Sequence, residues 1–309
     1  MSDSIENKIM QLKVVKKGIQ FFENIKLPWL HGFSLYKLLR LYIKGIVSGA
    51  ISYRAAAIAF SFFMALFPFT LFILNLIPYI PIDGFQKDFL DFVAESVPPN
   101  TFDAISSIIN DILNHSYGGL LSTGFLMSIL LMTNGLNAIL GGFETSVHVE
   151  IKRGFFKQYF VALGLSIVLS FLLLLTVAAI VVFEVFIQKT KIQDVLSDAI
   201  PLFQLGRYAF VILMILLTTS ILFKYGVRET KGNPFISIGS VFTTILVIIS
   251  FYFFGIWVVK FSKYNQLYGS IGTLLIIMFF IWINCMILLL GFDLNSLISK
   301  LKKKHQRIN

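Results

Sequence analysis

The 309 residues are 57% hydrophobic and 14% charged, with a formal net charge of +10, whereas soluble domains carry about 25% charged residues. Mean hydropathy is +0.82, and the apolar residues form long runs, which excludes an ordinary soluble domain. The single cysteine, Cys285, lies inside an apolar run, so neither a disulfide framework nor a cysteine metal site is available.

Residues Met1 to Lys26 are charged and hold no apolar core. They do not read as a cleavable signal peptide, and the first span is expected to act as the insertion signal. Next come Leu35, Leu38, Leu39, Tyr42, Ile43 and Ile46 at helical spacing, with Ser34, Lys37, Arg40 and Lys44 opposite. That pattern predicts a basic amphipathic helix lying in the membrane interface. It belongs to a cytosolic N-terminal region, 1–49, ahead of a transmembrane domain, 50–298, and a basic cytosolic tail, 299–309.

A span needs about 20 mostly apolar residues. Six runs qualify: Ala55–Tyr79, Leu120–Leu140, Tyr159–Ile187, Tyr208–Phe223 (short, with an earlier start near Leu202 as an option), Phe235–Val259 and Ile271–Phe292. The runs are continuous rather than alternating, which selects helices over a barrel. The expected fold is therefore an all-α membrane protein of six transmembrane helices with amphipathic interfacial helices. Pro68, in mid-span, is expected to kink the first helix. Gly232-Asn233-Pro234 is expected to open the fifth helix with proline in its first turn. Between the first two spans, Phe85 to Val93 and Phe102 to Leu113 read as two further amphipathic pieces, broken at Pro98-Pro99.

Lysine and arginine counts orient the chain. Nine occur up to Arg54, three in the loop after the second span, three in the loop after the fourth and five in the tail; six occur on the other side. Twenty against six places both termini in the cytosol. The basic residues thus flank spans, and anionic lipid at those flanks is the expected partner rather than nucleic acid.

Polar groups inside spans are expensive and point to function. Arg54 and Asp293 fall at the cytosolic ends of spans one and six, at similar depth and with opposite charge. Asn134 and Asn137 share a face of span two. With Asn295, these four residues form a candidate polar path. The plain alternatives are that Arg54 is a snorkelling anchor and that the asparagines are interhelical links worth about 0.6 kcal/mol each. Gly269, Ser270 and Gly272 open span six and offer a candidate anion site at a helix start, or simply close packing. Other polar groups in or near the spans are Asn75, Glu184 and Asn284. The four histidines, His31, His115, His148 and His305, sit in separate segments. No metal or nucleophile motif accompanies them, so no catalytic residue, metal or cofactor is expected.

Two segments carry a family resemblance. Arg54-Ala-Ala-Ala-Ile-Ala-Phe-Ser-Phe-Phe-Met-Ala-Leu-Phe-Pro68 resembles the first-span motif of the YihY/BrkB family. Tyr264-Asn-Gln-Leu-Tyr-Gly-Ser-Ile-Gly272, with Gly291-Phe-Asp-Leu-Asn295, resembles its last-span motif. Arg153-Gly154-Phe155 and Asn233-Pro234 are similar to further family pairs. Asp293 stands where the family has glutamate, which keeps an acid there. The resemblance covers about residues 35–298. It implies a bacterial inner-membrane protein with six spans. Some relatives look like exporters of lipid or lipopolysaccharide precursors, so a transporter or flippase-like exporter of a lipid-like substrate is the leading expectation. A scaffold for envelope machinery is the alternative. The family once carried the name ribonuclease BN; the missing His/Asp cluster argues against that activity here.

Overall fold

The computed structural model describes residues 26–27, 33–48, 50–76, 86–87, 90–91, 106, 118–193, 200–228, 234–268 and 270–306. A minimal antiparallel pair, β1 (Lys26–Leu27) and β2 (Phe33–Ser34), leads into seven helices among the described residues. These are α1 (Leu35–Ser48), α2 (Ile51–Leu76), α3 (Gly118–Glu144), α4 (Phe155–Gln193), α5 (Ile200–Tyr225), α6 (Ile238–Tyr268) and α7 (Ser270–Gln306). Among the described residues, four stretches are long and apolar enough to cross a membrane: Phe155–Ile180, Gln204–Tyr225, Ile238–Trp257 and Leu274–Lys302. Much of their surface is uncovered apolar side chain, with Phe156, Phe160, Phe171, Tyr252 and Phe253 all exposed. An apolar surface of that extent suits lipid rather than water.

The boundaries show which local signals act. The fourth run takes its earlier start, so α5 gains the length to span. The helix is continuous through Pro68, which therefore does not end α2. Pro234 lies outside α6, contrary to the expected first-turn position. Two serines start that helix instead. The Ser237 N–H donates to Ser240 Oγ (2.9 Å) and the Ser240 N–H donates to Ser237 Oγ (3.1 Å). This reciprocal cap satisfies amide groups that the helix start leaves without partners. At the other end of the bundle's last element, α7 runs on through the basic tail to Gln306. Its Leu297, Ile298 and Leu301 bury against Leu38 of α1. The amphipathic helix thus divides its apolar residues: Leu38 faces α7, while Leu39 and Ile43 stay exposed. The two amphipathic pieces expected between the first spans fall, but for isolated positions, outside the described residues.

Helices α2 to α7 close a ring in chain order. Each packs on the next, and α7 returns to α2 while also touching α3 and α5. Consecutive antiparallel helices put the starts of α2, α4 and α6 and the ends of α3, α5 and α7 at one end. Among the described residues, that end holds a tightly packed aromatic cluster. Phe143, Phe223 and Phe292, from α3, α5 and α7, are each at most 1% exposed. Phe143 and Phe292 stack at 4.0 Å, and Phe223 meets both edge-on at 5.7 and 5.8 Å. Nearby, α6 and α7 approach until only glycine fits. A Cβ on Gly291 would overlap Thr243 Oγ1, and one on Gly239 would overlap the Gly291 carbonyl.

Candidate functional site

Arg54 occupies the first turn of α2 and reaches Gly142 and Asp293, the sequence neighbours of Phe143 and Phe292. Its side chain is 9% exposed and that of Asp293 is 4% exposed. Nη1 and Nη2 each lie 3.4 Å from one Asp293 carboxylate oxygen. Nε and Nη2 also donate to the Gly142 carbonyl, at 3.0 and 2.5 Å. That carbonyl belongs to the last turn of α3, where acceptors lack an intrahelical partner and the helix dipole is negative. One guanidinium therefore closes the end of α3 and joins it to α7. Gly142 lets α3 pack closely on α2 and α7 here, since a Cβ there would meet Ile58 Cδ1 at 2.9 Å and Leu289 Cδ2 at 3.3 Å.

Further groups surround the pair. The Tyr42 hydroxyl donates to the Leu290 carbonyl at 2.8 Å, and burial, with the Asp293 charge, pushes its phenol well above the ordinary range. Burial holds the His148 imidazole below its ordinary value; Asp293 opposes that shift and Lys300 adds to it. The His148 Nε2 is buried and has no hydrogen-bond partner among the described residues. Lys300 pairs with Glu150 at 2.8 Å on the exposed rim.

The other residues singled out from sequence do not join this cluster. Asn134 lies on the exposed side of α3. Asn137 accepts a hydrogen bond from Gln158 Nε2 of α4, at 3.0 Å to its Oδ1. Asn295 is buried two residues beyond Asp293, against the α6–α7 seam beside Gly239. Ser270 and Gly272 open α7, while Gly269 lies outside the described residues, as do the side chains of Asn75 and Glu184. Asn284 links α7 to α6, accepting from Ser250 Oγ at 3.1 Å.

A second arginine enters the sequence reading as a basic flank and as part of the Arg153-Gly154-Phe155 family resemblance, but not as a site residue. Arg153 precedes α4. Its Nη1 donates to the Gly226 carbonyl, and its Nη2 donates to the Tyr225 carbonyl at 3.0 Å, at the end of α5. Its backbone N–H lies 3.3 Å from both oxygens of Glu144, a carboxylate only 4% exposed. Burial raises the Glu144 pKa, opposed by the Arg153 N–H and charge. Burial also lowers that of Arg153, opposed by Glu144 and reinforced by Arg228. Beside it opens a cavity of about 210 Å³ lined by Arg153, Lys157, Val161, Tyr225 and Arg228. Among the described residues no three His, Cys, Asp or Glu side chains group to hold a metal ion.

A ring of long apolar helices, sealed at one end by a buried ion pair, defines a helical membrane protein. Residues 43–309 match the family described as virulence factor BrkB, and the chain belongs to that family. It is 29% identical over 257 residues to the putative ribonuclease-like protein YfkH of Bacillus subtilis (strain 168), spanning 81% of this chain and 90% of that protein. It is 24% identical over 255 residues to a UPF0761 membrane protein of Coxiella burnetii (strain RSA 493 / Nine Mile phase I), spanning 80% and 88%. No solved structure matches the chain.

Proposed function

We propose that this chain is a non-enzymatic, six-span protein of the bacterial inner membrane that exports a lipid-like envelope precursor. The observation that carries this reading is the Arg54–Asp293 pair. Apolar residues of similar volume often hold a bundle as well as a buried ion pair does. A charged contact between α2 and α7 can instead break and re-form as a unit, which a two-state gate requires. The basic flanks gather at the end where the pair sits, which supports a cytosolic gate and cytosolic termini. With the pair formed and the three phenylalanines packed, that gate is closed.

Purified protein in vesicles with a fluorescent phospholipid in both leaflets tests the reading, with quencher added outside. Wild type should speed exchange between leaflets, and Arg54→Ala should alter the rate. Exchange no faster than in protein-free vesicles, together with unchanged leaflet composition in a deletion strain, would sink the export reading. It would leave a scaffold, which the filled aromatic end also suits. Topology has its own test in a chain lacking Cys285. Cysteines at Asp103 or Asp194 should label from outside, and those at Arg228 or Lys303 should not. We propose as well that the chain cleaves no RNA. Copurifying cleavage of tRNA precursors, abolished by a substitution in this chain, would overturn that.

A further inference from the structure

The cavity beside Arg153 gathers cations from two regions far apart in sequence. Arg153 comes from the α3–α4 connection, Lys157 from the first turn of α4 and Arg228 from just beyond α5. Their positions are fixed from behind. Arg153 is held by two carbonyls of the α5 end. Arg228 follows Val227, which is fully buried, and Gly226, where a Cβ would overlap the Leu222 carbonyl. Lys157 shares a helix face with Val161, one turn on, and both line the cavity.

The charge balance there is uneven. Among the described residues, Glu144 is the acidic side chain beside Arg153, and its carboxylate already accepts the Arg153 N–H. Among the described residues neither Lys157 nor Arg228 forms an ion pair. Like charges held round one concavity repel, and an anion placed between them removes that cost. A guanidinium fork and a lysine point charge suit a tetrahedral oxyanion, above all phosphate. The Tyr225 and Val161 walls add apolar surface for whatever the phosphate is esterified to. Phe156 and Phe160, on either side of Lys157 in sequence, are 78% and 70% exposed. Exposed apolar rings beside a lysine at a helix start suit an edge where lipid meets water, the rings toward the lipid and the lysine head toward water.

We infer that Arg153, Lys157 and Arg228 form a binding site for a phosphate-ester anion, borne by a phospholipid headgroup or by a soluble phosphorylated molecule. The site stands whether or not the chain exports anything. Short-chain phosphatidylglycerol, short-chain phosphatidylcholine and inorganic phosphate, titrated separately onto the full chain in detergent and read by native mass spectrometry, test it. Each of Lys157→Gln and Arg228→Gln should weaken binding of the anionic probe about tenfold, the loss of one charge-assisted hydrogen bond. Arg228→Lys should retain part of the affinity, and Lys302→Gln, on α7, should bind as wild type. Phosphatidylglycerol bound well above the other two probes assigns the site to lipid. Inorganic phosphate bound as well as phosphatidylglycerol assigns it to a soluble ester. Binding of neither, or equal binding by wild type and the Gln variants, overturns the inference. So does phosphatidylcholine binding as tightly as phosphatidylglycerol with no loss in those variants.

Discussion

Two arginines do the same local task at neighbouring points of the bundle and end in opposite states. Arg54 closes the carbonyl end of α3 and Arg153 closes that of α5. Each has one carboxylate nearby. Asp293 turns both oxygens to the Arg54 guanidinium, so the charge is matched and sealed above three phenylalanines. Glu144 instead turns its oxygens to the Arg153 backbone. The Arg153 head is left to carbonyl dipoles, with two more cations beside an open cavity. The lesson is that a positive flank is not one kind of thing. What the carboxylate binds decides whether the arginine becomes a latch or part of a receptor.

The largest way to break the comparison is to remove one side of the latch. Arg54→Ala should destabilise the detergent-solubilised chain by about 3–5 kcal/mol, because Asp293 is left buried and unpaired. Adding Asp293→Ala should recover part of that loss in thermal unfolding. Simple additivity of the two single effects would show that the residues act independently. Arg153→Ala should cost less, about 1–3 kcal/mol, since it leaves carbonyl acceptors rather than a buried charge without partners.

Acid sharpens the contrast from the other direction. The folded-state pKa of His148 is held below its unfolded value, so the neutral ring contributes stability that is present above about pH 6.5. That contribution is lost as pH falls through the depressed folded value. Wild type should therefore lose melting temperature on acidification below about pH 6.5, and His148→Asn should show a shallower loss over the same window. A slope identical in both would remove His148 from the latch. The smallest effect is expected at the rim. Lys300 and Glu150 are 45% and 68% exposed, so Lys300→Gln should change stability by about 0–1 kcal/mol.

The helices were legible in the sequence because lipid imposes long apolar runs. The opposition of Arg54 and Asp293 was legible because both end such runs at the same depth. Other features depend on neighbours that sequence spacing does not bring together. The Gly142 carbonyl is a backbone group, and nothing in its residue type announces an arginine. Ser237 and Ser240 carry a cap signal, but Pro234 upstream is the louder one and points four residues too early. Asn134 and Asn137 share a face by periodicity, yet periodicity does not say which neighbour that face meets, and Gln158 took Asn137. The three cations of the cavity come from the loop before α4, its first turn and the segment just beyond α5, and their meeting depends on α4 packing against α5.

Ring closure between α2 and α7 also has a consequence in time. Arg54 and Asp293 are 239 residues apart, so during synthesis the arginine exists long before its partner. Until α7 arrives, its charge has neither the Asp293 carboxylate nor the packed surroundings that bury it. A chain truncated within α7 ahead of Asp293 never gains that carboxylate. The last helix thus brings the carboxylate that matches the arginine's charge and closes the ring with an ion pair.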